Sequence, residues 1–229
     1  MKLEFCIDKL DGMRAAAKYG ADRVELCKDL EVGGLTPEAA MVRACSQIST
    51  IEIHVMIRNT TNGFVYSSDD INNMKEGIKT MKEAGASGVV FGCLDPIGNL
   101  CQDHNDELIQ LSRKLGMEAT FHRAFDDCAD PLAGLESIMR SGFDRLLTSG
   151  QKDTAIEGVE LIKTLVQKAE KRIEVMAGSG VNGSNTSALI QTGVDALHFT
   201  IHHKANAGPS QIDESKIQKI LKALPHYNA

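Results

Sequence analysis

Gly20-Ala-Asp-Arg-Val-Glu-Leu26 is the stretch that decides the fold, because the chain repeats its pattern three more times. The repeats are Gly85-Ala-Ser-Gly-Val-Val-Phe91, Gly142-Phe-Asp-Arg-Leu-Leu-Thr148 and Gly193-Val-Asp-Ala-Leu-His-Phe199. Each one follows a helix-like stretch, places Gly where a helix ends in a left-handed backbone, and continues into an apolar strand. The glycines are 65, 57 and 51 residues apart. This spacing leaves room for two β/α units per repeat and predicts an eightfold β/α barrel.

Strand and helix patterns alternate along the whole chain, as this architecture requires. The predicted strands span residues 3–7, 23–27, 51–58, 88–92, 118–122, 144–148, 173–177 and 196–201. The predicted helices span residues 11–19, 37–47, 69–84, 105–115, 131–141, 153–171, 184–192 and 213–224. An open, doubly wound parallel sheet is the alternative. The repeat, and the lack of a G-x-G-x-x-G motif after the first strand, favour a closed TIM-type (β/α)8 barrel, with residues 1–229 as one domain.

Two helix starts carry recognisable capping residues. Thr36 and Asp130 each precede a proline, which is typical of the residue that caps a helix before proline at its first position. We therefore expect helices to begin directly after both residues.

Composition excludes several classes of protein. The chain has 229 residues, 42% of them hydrophobic, with a net charge of −6 and no Trp. An acidic chain with few aromatic residues is not typical of a nucleic-acid-binding protein. No apolar run approaches the ~18 residues of a membrane span. The six cysteines form no C-x-x-C pair and the N-terminal stretch reads as a strand, so we expect reduced thiols in the cytoplasm.

Polar residues recur at every second position of several predicted strands, which places them on the interior face of a barrel. These positions are Glu4, Cys6, Asp8, Arg23, Glu25, Cys27, Glu52, His54, Met56, Arg58, Glu118, Thr120, His122, His198 and Thr200. Buried charges must pair or meet a polar ligand, since each unpaired one costs on the order of several kcal/mol. Two interpretations stay open: an ion-pair network including Glu25, His54 and Arg58, or a functional site at the C-terminal mouth.

Six segments resemble the CutC family, often called copper homeostasis proteins. They are Arg23-Val-Glu-Leu-Cys27, Gly33-Gly-Leu-Thr-Pro37, Val55-Met-Ile-Arg58, Thr120-Phe-His-Arg-Ala-Phe-Asp126, Arg145-Leu-Leu-Thr-Ser-Gly150 and Met176-Ala-Gly-Ser-Gly-Val181. The resemblance runs from Cys6 to about His198. It implies a TIM-type barrel, a cytosolic location, self-association with a dimer favoured, and a link to copper. Residues 59–63 and 199–203 depart from the family pattern, the first by losing an arginine and an aspartate.

Copper binding is the first candidate function. Cys6 and Cys27 end neighbouring strands, whose axes lie ~5 Å apart. Both occupy strand positions whose side chains point into the barrel, so the two sulfur atoms can approach each other. Cu(I) accepts thiolate and thioether ligands, so Met56 or a histidine could supplement the two thiols. The resemblance implies the same two positions as the family's proposed thiol ligands. The alternative is a pair of ordinary buried thiols.

Catalysis on a small anionic metabolite is the second candidate function. It would use Glu25, His122 and Arg123, with Arg58 and Asp126 in support. A carboxylate and an imidazole can share acid–base work, and the arginines can hold an anionic substrate. A salt-bridge network is the alternative for the same residues. A non-catalytic ligand sensor is a third class that the fold alone does not separate from these two.

Phosphate binding is predicted at the loops after the sixth and seventh strands. Gly178 and Gly180 lie after the seventh strand, where such barrels often bind phosphate through backbone N–H groups, and Thr148 and Ser149 after the sixth strand are expected to add donors. A tight turn explains the same glycines without a ligand. The pair at 202–203 is expected in a surface loop without a metal-binding role.

Overall fold

The structure is a computed structural model that describes residues 1–202 and 211–225. His203, which was predicted to lie in a surface loop, is outside the described residues. Eight parallel strands pair in chain order, and the last pairs with the first to close a barrel. The predicted TIM-type (β/α)8 barrel is therefore confirmed. Within the described ranges, no helix is both long and apolar enough to cross a bilayer.

The elements agree closely with the predicted ranges. The strands are β1 Lys2–Ile7, β2 Arg23–Leu26, β3 Glu52–Met56, β4 Gly88–Phe91, β5 Glu118–Phe121, β6 Arg145–Thr148, β7 Glu174–Ala177 and β8 Ala196–Thr200. The helices are α1 Leu10–Tyr19, α2 Ala39–Ser46, α3 Ser68–Glu83, α4 Gln102–Lys114, α5 Pro131–Ser141, α6 Val159–Ala169, α7 Thr186–Gln191 and α8 Glu214–Lys222. Two 3₁₀ turns, Leu30–Val32 and Arg123–Asp127, lie in the loops after β2 and β5.

Six helix starts differ from the sequence prediction by one to three residues, and that of α6 differs by six. Helix α6 begins later because the N–H of Ala155 donates to the carbonyl of Ser179 at 3.0 Å, which holds the preceding segment against the loop after β7. Thr36 does not cap α2, since its hydroxyl accepts the N–H of Arg58 at 2.8 Å and donates to that residue's carbonyl. The cap at Asp130 is confirmed, because its carboxylate accepts two N–H groups of the first turn of α5.

The repeat joins neighbouring strands at the N-terminal end of the barrel. All four of its glycines have φ between 70° and 105°. The third repeat position then forms a reciprocal pair: Asp22 accepts the N–H of Leu3 at 2.8 Å and donates its own N–H to the carbonyl of Leu3 at 3.0 Å. The same two bonds join Ser87 with Ile53, Asp144 with Ala119, and Asp195 with Val175. We call these the four rim pairs, and each fixes one strand against the next.

A network of ionisable side chains, most of them buried, fills the lower half of the barrel interior, and we call it the floor network. Its members are Glu4, Arg23, Glu174, Arg145, Glu118 and His54. Arg23 pairs with Glu4 and, at 2.8 Å, with Glu174. Arg145 lies 3.2 Å from Glu174 and also pairs with Glu118, which lies 3.5 Å from His54. Of the three residues in the predicted ion-pair network, His54 belongs to the floor network, whereas Glu25 and Arg58 lie outside it.

Removing one charge from this network should destabilise the barrel strongly. We expect Arg23→Met to lower the free energy of unfolding by about 3–5 kcal/mol, because it removes the buried guanidinium that pairs with both Glu4 and Glu174. Urea denaturation followed by circular dichroism measures the change. Arg172→Met is the matched control, since its pair with Glu136 is exposed and is worth at most about 1 kcal/mol. Equal losses in the two variants would contradict this account of the floor network.

Candidate functional site

A cavity of about 910 Å³ opens at the C-terminal ends of the strands, above the floor network. Thiol, carboxyl and imidazole groups from β1, β2 and β8 line it, as do Arg58 and His122. We call it the mouth cavity. It lies where parallel β/α barrels carry their sites.

Two thiols and a carboxyl group meet at the bottom of the mouth cavity. Cys6 on β1 is paired in register with Glu25 on β2, and Cys27 follows β2 directly. The two sulfur atoms and a carboxylate oxygen of Glu25 all lie within 4.8 Å of one another. Met56, at the end of β3, packs against both thiols. Cys6, Cys27, Glu25 and Met56 form what we call the thiol cluster.

The backbone at Gly34 approaches the thiol cluster closely. Gly34 has φ of 87°, and a Cβ built there would lie 3.1 Å from the sulfur of Cys27 and 3.6 Å from the terminal methyl of Met56. A larger residue at this position would push against the sulfur. Glycine therefore keeps this side of the cluster open.

The charges within the thiol cluster are unevenly distributed. The hydrogen bond with Cys27, assisted by His198, lowers the pKa of Cys6 to about 5 although burial acts in the opposite direction. The same hydrogen bond and burial raise the pKa of Cys27 well above its usual value. Burial and the negative charge of Cys6 raise the pKa of Glu25. Cys6 is therefore the thiolate of the cluster at neutral pH, and it is the thiol that lines the cavity.

His198 connects the thiol cluster to the floor network. Its Nδ1 lies 2.8 Å from a carboxylate oxygen of Glu4, and its Nε2 lies 3.5 Å from Glu25. Burial alone would lower the pKa of His198, but Glu25, Cys6 and Glu4 together raise it well above the usual value. Sequence reasoning placed His198 inside the barrel but gave it no role. The alternation of side chains along β8 predicts that His198 faces the interior. Its contacts with Glu4 and Glu25 depend on how distant strands pair, which the sequence does not show.

Arg58 enters the mouth cavity from the end of β3 and is 6% exposed. Its Nη1 donates to the carbonyl of Val32 at 2.9 Å and to that of Gly34 at 3.3 Å. The guanidinium carbon lies 5.1 Å from the ring centre of Phe64. Among the described residues, no carboxylate forms an ion pair with Arg58, and its buried Nε has no hydrogen-bond partner.

His122 follows β5, contacts the same Phe64 ring at 4.9 Å between centroids, and is 4% exposed. Its Nδ1 accepts the N–H of Ala124 at 3.2 Å. In the neutral imidazole the proton therefore sits on Nε2, which has no partner among the described residues. Burial, together with the charge of Arg58, lowers the pKa of His122 to about 3. At neutral pH His122 thus presents an N–H donor.

Asp126 occupies the donors predicted to bind an anion after β6. Its carboxylate accepts the hydroxyl of Thr148 at 2.6 Å, and both the hydroxyl and the N–H of Ser149, at 2.9 and 3.1 Å. It also accepts the N–H of Gln151 at 3.1 Å and forms an ion pair with Arg123 at 2.8 Å. The predicted residues are brought together here, with an internal carboxylate among them.

The remaining predicted residues lie around the cavity. Gly180 lines it, while Gly178 uses its N–H on the carbonyl of Thr148 at 2.9 Å. His202 was expected in a surface loop, and this was wrong: its side chain is 7% exposed and its Nε2 lies 3.6 Å from a carboxylate oxygen of Asp8. It pairs with Ile212 in an isolated bridge, which turns its side chain toward the barrel.

These features define a single-domain β/α barrel with a buried thiol cluster at its mouth. Arg58 and His122 line the same cavity. The model of the CutC family matches residues 1–203, and the chain belongs to that family.

The curated relatives and a solved structure agree with this assignment. A CutC family protein of Glaesserella parasuis serovar 5 is 45% identical over 201 residues, which cover 87% of this chain and 82% of the relative. The structure of CutC from Streptococcus agalactiae, a candidate copper homeostasis protein by name, aligns with a TM-score of 0.81 at 31% identity over 87% of this chain and 98% of its own. Deoxyribose phosphate aldolase from Aeropyrum pernix shares the fold alone, with a TM-score of 0.70 at 13% identity over 96% and 89% of the two chains.

Alkylation should distinguish Cys6 from the other buried thiols. Because the thiolate is the reactive form, we expect iodoacetamide to label Cys6 faster than Cys45 and Cys128, whose pKa values burial raises to about 11 and about 12. The experiment uses metal-free protein with Cys101→Ser, since that thiol is only half-buried. Mass spectrometry of the labelled peptides gives the rates. The rate at Cys6 should reach half its maximum near pH 5, and His198→Asn should move that midpoint upward. A midpoint near the ~8.5 of an ordinary thiol would contradict the arrangement.

Proposed function

We propose that the protein binds Cu(I) as cargo through the sulfur atoms of Cys6 and Cys27. The observation that carries the proposal is the convergence of these two buried sulfurs at the bottom of the mouth cavity, within 4.8 Å of each other and of Glu25. Membership of the CutC family, and the name of the Streptococcus agalactiae relative, support the choice of copper.

The donors of the thiol cluster suit Cu(I) better than harder ions. Thiolate and thioether sulfur are soft ligands, and Cu(I) prefers them over the oxygen donors that magnesium and calcium require. Cys6 is already deprotonated at neutral pH, so one ligand needs no proton release before binding. Met56 offers a third sulfur from β3, and Glu25 is placed to accept the proton that Cys27 gives up. The cluster therefore fits a soft monovalent ion.

The proposal includes a reducing compartment and a small assembly. All six cysteines of the chain are free thiols, which supports a cytoplasmic location. Self-association as a dimer stays a prediction.

Copper titration of paired variants tests the thiols. We expect the Cys6→Ser/Cys27→Ser double variant to bind Cu(I) more than about 100-fold more weakly in competition with a chromogenic Cu(I) chelator, since both soft ligands are lost. Cys45→Ser/Cys93→Ser is the matched control, because it also removes two buried thiols but from outside the mouth cavity. Unchanged affinity in the first variant would rule out the pair as ligands.

Acid–base catalysis on a small anionic metabolite is a second proposed function of the same cavity. It is favoured by Glu25, whose buried Oε1 has no partner among the described residues, and which lines the cavity together with His122 and Arg123. The carboxyl group of Glu25 can exchange a proton with a bound substrate, and the N–H of His122 can donate a hydrogen bond to the developing charge. The arginines Arg58 and Arg123 supply positive charge beside it.

Turnover provides the test of this second function. Incubation of the protein with pooled small organic acids and phosphate esters should give at least one converted compound by mass spectrometry. Glu25→Gln and His122→Asn should each lower its rate by about 100-fold or more, the usual range for a lost acid–base group. Conversion at the wild-type rate in both variants would remove these residues from the mechanism.

A further inference from the structure

We propose that the mouth cavity binds the carboxylate group of a small organic acid on the side chains of Arg58 and His122. Both line the cavity and are more than nine-tenths buried, and each has a nitrogen without a hydrogen-bond partner among the described residues. The ligand lies against the part of the cavity that Arg58 and His122 line. Its binding requires neither copper at the thiols nor turnover.

Arg58 is a buried cation that lacks its anion. The other buried arginines, Arg23 and Arg145, each pair with two carboxylates of the floor network. In the described part of the chain, the guanidinium of Arg58 bonds two carbonyls through Nη1 and lies beside the face of Phe64 and the neutral hydroxyl of Tyr66. These contacts hold the guanidinium in place but do not balance its charge. Since an unpaired buried charge is strongly unfavourable, the missing partner is a ligand that carries the negative charge.

His122 adds a fixed neutral donor beside this cation. The N–H of Ala124 occupies Nδ1, which leaves the proton on Nε2. The ring is held in place by Phe64 and by Gly92, where a Cβ would lie 2.9 Å from Nδ1. A guanidinium edge and one N–H donor together match the two oxygens of a carboxylate.

A singly charged ligand with an apolar body fits the rest of the cavity better than a phosphate. Asp126, Asp127, Asp153 and Asp213 line it together with Arg123 and Lys216, so the cavity carries no excess of positive charge that would favour a dianion. Apolar side chains line the same cavity, namely Leu30, Val32, Met56, Phe64 and Leu147. A short-chain monocarboxylate can therefore place its charged end on Arg58 and its hydrocarbon end on these side chains.

Nuclear magnetic resonance with small anions as probes tests the inference directly. Uniformly ¹⁵N-labelled protein is titrated with formate, acetate, butyrate and inorganic phosphate at constant ionic strength, with chloride as the reference anion. The Nε2 resonance of His122, assigned by its loss in His122→Gln, reports occupancy. We expect saturable shifts with the carboxylates, and an affinity that rises about threefold to fourfold per added buried methylene.

Variants locate the site. Arg58→Gln should weaken butyrate binding about 10-fold to 100-fold, as expected for a lost charge-assisted pair of hydrogen bonds. Arg172→Gln, at an exposed arginine paired with Glu136, should leave binding unchanged. His122→Leu should weaken binding, while His122→Gln, which keeps an N–H donor, should retain more of the affinity. In the His122 variants, which lack the Nε2 resonance, backbone amide shifts report butyrate binding. The same amide spectrum shows whether Arg58→Gln folds.

Three results would overturn the inference: no saturable shift with any carboxylate, equal butyrate affinity in wild type and His122→Leu, or tighter binding of phosphate than of butyrate. The Cys6→Ser/Cys27→Ser variant separates this site from copper binding, because it should bind butyrate as the wild type does. Loss of butyrate binding in that variant would show that the ligand depends on the thiols instead, which would also contradict the inference.

Discussion

The rim pairs are the constraint on which the rest of this barrel depends. In each of the four, a side chain at the third repeat position accepts a strand N–H while its own N–H returns a bond to the same residue. Two bonds to one residue fix the stagger of one strand against the next. In a closed barrel that stagger decides which side chains share an interior layer. Glu4 thereby meets Arg23, and Cys6 meets Glu25, one layer higher.

The interior charges are consistent with this layering. The floor network pairs its arginines and carboxylates below, and His198 carries the connection upward through Glu4 to the thiol cluster. The upper layer is different in kind, because its charges are not all paired within the chain. The thiolate of Cys6, the imidazolium of His198 and the guanidinium of Arg58 instead line a cavity. The lower layer therefore stabilises the barrel, and the upper layer presents the groups that can bind a ligand.

Most of the fold could be predicted from sequence because its determinants are local. A glycine with a left-handed backbone, an apolar strand and a polar alternation are each read from a few residues, and they located the barrel, Cys6, Cys27, Glu25 and Arg58. What the sequence could not supply depends on contacts between distant segments. Neither the partner of His198 nor the inward turn of His202 follows from any local pattern, since both depend on strand register and on the bridge to Ile212.

The carboxylate of Asp126 has a further consequence for the loop after β6. It is tied to that loop by the chain itself, and it already holds the hydroxyl of Thr148 and the N–H groups of Ser149 and Gln151. A tethered group competes at an effective concentration of roughly millimolar or higher. Asp126 is therefore an intramolecular competitor for these donors. A free anion can bind them only by displacing a carboxylate that remains attached to the same chain.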